Sequence, residues 1–179
     1  MKLQKIVSRL QELHPKEIDL SLDRIQNLCK SLGNPQDKIK AISIVGTNGK
    51  YSTIQAMFAM LKETNIKCNI YTSPHIKNIN ERFVFNNQEL NNEELANLFE
   101  EIESANNNEP ITFFEILTAA YFLKASQYPD NINLVETGLF HRFDATNILK
   151  NNLASVVTCI GLDHLDWLPE NEQNVQKII

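Results

Sequence analysis

The chain has 179 residues, 42% hydrophobic and 22% charged, with a formal net charge of -5. That length suits one domain with its own core, since domains commonly run roughly 100 to 200 residues. The pattern predicts no membrane span, because no apolar run approaches the roughly 20 residues required, and residues 1–10 lack the continuous apolar core of a secretory signal, because charges break their apolar positions. The acidic balance argues against binding along a nucleic-acid backbone, and the cytoplasm is the expected compartment.

Apolar residues at helical spacing predict helices over Leu3 to Leu13 and Leu22 to Leu32, the second stopped by Gly33 and Pro35. Ala41 to Val45 is a short β-branched run that ends at Gly46, and Ser52 to Lys62 resumes a helical pattern. Cys68 to Tyr71 is a second strand, closed by Thr72-Ser73-Pro74-His75, and Arg82 to Phe85 is a small extra one. Asn92 to Glu103 reads as an acidic amphipathic helix. Thr112 and Glu115 form a capping box for a helix reaching Ser126. Strands over Ile132 to Glu136 and Ala154 to Ile160 follow, then a helical pattern from Asn171 that stops at Ile179 with no cap, which reads either as a short terminal helix or as truncation. Strands alternating with helices predict an α/β fold, a parallel sheet of P-loop NTPase type with helices on both faces. The paired asparagines, such as Asn86-Asn87 and Asn106-Asn107-Asn108, mark turns. Cys29, Cys68 and Cys159 lack a C-x-x-C pair and read as reduced, mostly buried thiols.

The chemistry concentrates where strands end. Gly46-Thr47-Asn48-Gly49-Lys50-Tyr51-Ser52 departs from G-x-x-x-x-G-K-[ST], yet its glycines permit positive φ and its amides open a helix, as a phosphate requires. Lys50 adds a mobile charge, and Ser52 a hydroxyl for Mg²⁺. Taken alone, the segment fits a plain glycine turn equally well. Glu136 ends one apolar strand, Gly161-Leu162-Asp163-His164 follows another, and Ser73 and His75 follow a third, so all converge on the carboxyl edge of the sheet where ligands of such folds bind. Asp144, Thr146 and Asn147 read as turn-builders. Phe113, Phe114, Tyr121 and Phe122 read as core.

Across Gly46 to Thr53, Thr72 to His75, Asn80-Glu81-Arg82, Phe113-Phe114-Glu115, Glu136 to Leu139, Arg142 to Asn147 and Gly161 to His164, the chain resembles the folylpolyglutamate synthase and dihydrofolate synthase branch of the Mur ligase family. The resemblance implies an ATP-dependent addition of L-glutamate to a folate or dihydropteroate through an acyl phosphate. It implies that Gly46, Thr47, Asn48, Gly49, Lys50, Tyr51, Ser52 and Thr53 bind ATP, that Ser52, Ser73, Glu136 and His164 hold Mg²⁺, and that Lys50 and His164 serve catalysis. Tyr51 stands where those enzymes usually have Gly, which predicts lost backbone freedom and impaired phosphate binding. Phe140-His141 replaces a Gly-Gly pair, and Pro169 replaces Gly. Lys177 lacks the Glu-Lys-Ala-Gly setting of the family's carbamylated lysine and takes no role. Residues 1–179 are thus expected to form a Mur-ligase-like ATP-binding domain, incomplete at its carboxyl end, with the glutamate-ligase domain absent and weak or no activity alone. The alternatives are a non-catalytic nucleotide-binding module, possibly completed by a separately encoded second half, and a cell-wall-peptide ligase of the wider family.

Overall fold

The computed structural model describes residues 2–12, 21–138 and 141–162. In chain order these form α1 (Lys2–Glu12), α2 (Asp23–Ser31), β1 (Lys40–Val45), α3 (Lys50–Glu63), β2 (Cys68–Tyr71), β3 (Phe83–Phe85), β4 (Gln88–Glu89), α4 (Asn92–Asn106), α5 (Phe113–Ala125), β5 (Ile132–Glu136) and β6 (Asn152–Val157). The strand order is β4-β3-β2-β5-β1-β6. β2, β5, β1 and β6 run parallel, with Ile44 opposite both Glu136 and Val156.

The sheet is mixed rather than purely parallel, because β3 and β4 form an antiparallel hairpin on its edge. Asn86 and Asn87 both take positive φ, 53° and 67°, which suits a two-residue turn between twisted strands. β4 was not foreseen, since Gln88–Glu89 carries no apolar signal. β6 begins and ends earlier than expected. After Val157 the chain leaves the ladder so that Cys159 can bridge Asn48.

Helices cover both faces, unequally among the described residues. On one face α3 packs Ile54, Met57, Phe58 and Leu61 against Ile44, Ile70 and Leu134. The other face carries the main core, where α1, α2, α4 and α5 meet Ala41, Tyr71, Phe83 and Val135. Burying each such Leu, Ile or Phe contributes about 2 kcal/mol. α5 is buried almost all round, as an apolar helix between a sheet and other helices must be. Its capping box is formed as expected: Thr112 accepts from the Glu115 amide at 3.2 Å, while Glu115 accepts from the Thr112 amide at 2.8 Å. Glu115 also accepts from Arg24 Nε at 3.0 Å, tying α5 to α2. Asn91 caps α4 the same way, and that helix extends to Asn106. Tyr121 and Phe122 are core, with Phe113 and Phe114 packed against it.

Cys29 and Cys68 are buried, with burial pushing the Cys29 thiol up to about 12, whereas Cys159 is exposed. Among the described residues no helix is long and apolar enough to cross a membrane. Leu13, Leu139, Phe140, Asp163, His164, Trp167, Pro169 and the pattern from Asn171 to Ile179 lie outside the described residues.

Candidate functional site: a phosphate loop facing a buried carboxylate

The order β2-β5-β1-β6 makes the segments after β2, β5, β1 and β6 neighbours at one sheet edge. Ser73, Glu136, the loop from Gly46 and Gly161 are therefore brought together, as their strand-end positions predict. His164, expected beside them, lies outside the described residues.

The loop after β1 is shaped by two glycines. Gly46 takes φ 143°, and a Cβ there would fall 2.1 Å from Thr158 Oγ1. Gly49 takes φ 85° as the residue before α3. The helix starts at Lys50, two residues earlier than expected, so Lys50, Tyr51 and Ser52 form its first turn. Their amides are among the four that a helix cannot satisfy internally, and they carry the positive end of its dipole. Thr47 and Asn48 differ: their amides donate to Cys159 O at 2.8 and 3.2 Å and are already spent. Thr53 N donates to Gly49 O at 3.0 Å, inside the helix. Lys50 Nζ folds back onto Gly46 O at 2.7 Å and Thr47 O at 3.4 Å, a resting place from which four carbons of side chain can swing to an anion.

Tyr51 corrects an expectation. In this loop positive φ belongs to Gly46 and Gly49, not to Tyr51, so the tyrosine occupies ordinary helical backbone and does not deprive the loop of freedom it needs. Tyr51 is 55% exposed in the first turn of α3. Tyr51→Ala should therefore leave Mg-ATP affinity within about threefold, less than one hydrogen bond to a charged group contributes. A large gain measured by calorimetry would show that the ring obstructs the site.

Glu136 is 4% exposed and accepts from the Ser73 amide at 3.0 Å. Burial pushes its carboxyl up from the ordinary 4.5, opposed by that amide and by the charges of Lys50 and Arg82. A carboxyl raised in this way makes the folded state bind a proton more tightly than the unfolded chain, so stability falls as pH rises from about 4.5 through the raised value. Glu136→Gln should consequently stabilise the protein at pH 7 while abolishing Mg²⁺ dependence of nucleotide binding. Urea denaturation at pH 4 and pH 7, paired with Mg²⁺ titration, checks both signs.

Neighbouring side chains fix this frame. Arg82, 9% exposed, donates from Nε to His75 Nδ1 at 2.9 Å. Burial, then the Arg82 charge, holds His75 below its ordinary 6.5, so its Nδ1 serves as acceptor rather than as a cation's donor. Glu81 gathers the amides of Ile76, Lys77 and Asn78 at 2.8 to 3.0 Å. Asp144 accepts from Gly138 N at 2.8 Å and Thr146 N at 3.0 Å, which makes it the turn-builder expected. Arg82 and Thr158 were not assigned from sequence. A lone arginine beside an apolar strand and a threonine inside one carry no local signal.

The donors present suit Mg²⁺, a hard cation that takes few protein oxygens and leaves the rest to phosphate and water. Glu136 offers a buried carboxylate with one oxygen engaged, and Ser52 and Ser73 offer hydroxyls. Among the described residues no three His, Cys, Asp or Glu side chains gather together.

Strand, glycine loop and helix, with a buried acid on the adjacent parallel strand, define a phosphate-loop α/β fold of the Mur ligase kind. No protein-family model matches the chain. The chain is 36% identical over 171 residues to the dihydrofolate synthase/folylpolyglutamate synthase of Escherichia coli K12, a match covering 94% of this chain and 40% of that protein. E. coli FolC in complex with DHPP and ADP superposes with a TM-score of 0.87 at 36% identity, over 96% of this chain and 41% of FolC. A bifunctional folylpolyglutamate synthase/dihydrofolate synthase with Mn, AMPPNP and L-glutamate bound gives a TM-score of 0.83 at 31% identity, over 93% and 40%. The chain is a homologue of the amino-terminal part of dihydrofolate synthase/folylpolyglutamate synthase. It spans about two-fifths of the length of the relatives it matches.

Proposed function

We propose that this chain binds Mg-ATP and forms the phosphoryl-transfer wall of a folate-glutamate ligase. The carrying observation is that the first-turn amides and Lys50 of α3 open from the end of β1, directly beside the end of β5, where Glu136 is buried. The nucleotides and Mn in the homologues support the same reading, as does their glutamate. Mg²⁺ would supply neutralisation of charge on the phosphate oxygens, held by Glu136, Ser73, Ser52 and His164. Lys50 moves from its carbonyls to the phosphates, and the first-turn amides orient them. Ser73, through its amide, keeps the Glu136 carboxylate turned toward the site. No side chain need act as nucleophile, because the attacking groups are the substrate's carboxylate and the amine of glutamate.

Amide formation would require the three-fifths of a family-length relative that this chain does not span, whether joined to it or encoded apart. Calorimetry on the purified chain should give Mg²⁺-dependent ATP binding. Addition of dihydropteroate or tetrahydrofolate with L-glutamate should release no ADP. Substrate-dependent ADP release would show that the chain suffices as a ligase, and absence of nucleotide binding would sink the reading.

A further inference from the structure

A loop presents amides to an anion only if its carbonyls are held the other way. Here the carbonyls from Val45 to Asn48 all face protein donors. Val45 O accepts from the Thr158 amide at 2.8 Å, Gly46 O and Thr47 O accept from Lys50, and Asn48 O lies 2.8 Å from Thr158 Oγ1. The Thr158 hydroxyl also lies 3.1 Å from Val45 O, so its one proton is shared between two carbonyls. It occupies the space that Gly46 leaves by lacking a Cβ.

Lys50 is a temporary holder, because the phosphates it would serve draw it away. Thr158 is permanent. A trans peptide is planar with C=O and N–H opposed, so fixing Asn48 O inward turns the Gly49 N–H outward, toward the amides of Lys50 to Ser52. The Asn48–Cys159 bridge and the Gly49 O bond to Thr53 N anchor the residues on either side, but Gly49 at φ 85° has no Cβ to resist rotation of the peptide between them. We infer that Thr158 is a positioning residue for nucleotide binding, its hydroxyl locking the Asn48–Gly49 peptide so that the Gly49 amide joins the phosphate-binding set. The inference rests on the Mg-ATP reading above, but the lock itself is a property of the free protein.

The test compares wild type with Thr158→Val, which keeps the shape and removes the hydroxyl, and Thr158→Ser, which keeps the hydroxyl. In the free proteins the Gly49 amide should give one sharp ¹H–¹⁵N resonance in wild type and Thr158→Ser, and a broadened or doubled one in Thr158→Val. With Mg-AMPPNP, Thr158→Val should bind about tenfold more weakly, as the loss of one amide-to-phosphate hydrogen bond implies, while Thr158→Ser stays within about threefold of wild type. A single sharp Gly49 resonance in Thr158→Val overturns the lock, whether or not nucleotide binds. Equal affinity of Thr158→Val and wild type, or failure of Thr158→Ser to restore binding, overturns the positioning role. A wild type that ignores nucleotide but whose Gly49 resonance responds as described refutes the Mg-ATP reading and keeps the lock.

Discussion

Lys50→Met should weaken Mg-ATP binding about 100-fold, with the fold intact. Hydrogen bonds to charged groups contribute roughly 1.5 to 3 kcal/mol each, and every 1.4 kcal/mol is tenfold in affinity, so losing the one mobile cation of the loop lands in that range. The free protein loses only the bonds from Nζ to Gly46 O and Thr47 O, both on a partly exposed loop. Its thermal midpoint should fall by no more than about 4 °C, since 1 kcal/mol corresponds to roughly 2 to 4 °C in a domain of this size. Lys50→Arg keeps the charge on a longer planar group and should recover part of the affinity. Calorimetry beside thermal denaturation separates the two effects. Unchanged affinity in Lys50→Met would remove the phosphate role from this loop.

Asn133→Ala should do the reverse, lowering stability by about 4 kcal/mol while leaving the nucleotide affinity of the folded fraction alone. Asn133, fully buried in β5, uses its whole amide. Oδ1 accepts from Asn69 Nδ2 at 3.0 Å and from Tyr121 OH at 2.9 Å, and Nδ2 donates to Lys40 O at 3.0 Å. Truncation strands two buried donors, Asn69 Nδ2 and Tyr121 OH, at about 1 to 3 kcal/mol each, and frees the part-buried carbonyl of Lys40. Asn69 extends the network by accepting from Asn131 Nδ2 at 3.0 Å and from the Asn86 amide at 2.9 Å, so the loss reaches the hairpin. The effect stays away from the site because Asn133 precedes Glu136 by three residues, about 10 Å along the strand. Urea denaturation at low temperature gives the free energy, and a loss below about 1 kcal/mol would mean that water replaces the side chain.

Local chemistry explains which elements could be read from residues alone. The capping box of Thr112 and Glu115 works within one turn of chain, so its helix is where it was expected. Apolar runs closed by Gly46 and Glu136 marked β1 and β5 for the same reason, and their shared edge followed from parallel pairing. The asparagines show the limit. As turn formers they identify Asn86 and Asn87, yet Asn69 and Asn133 sit inside strands, where their type is disfavoured, because they satisfy one another across β2 and β5. Tyr51's backbone could not be read locally because helix bounds are cooperative: starting α3 at Lys50 puts it in helical backbone, where no glycine is required.

By itself the sequence determined the alternation of strand and helix, the glycine loop with its lysine between β1 and α3, and the acid at the end of β5, since each depends on residue type within a few positions. Only the tertiary structure decided that the Thr47 and Asn48 amides are taken by Cys159, that Lys50 rests on its own loop, that Ser73 and Arg82 frame Glu136, and that Thr158 fills the space under Gly46. Those are contacts between segments far apart in the chain, and burial and hydrogen-bond geometry assign them, which no local pattern encodes.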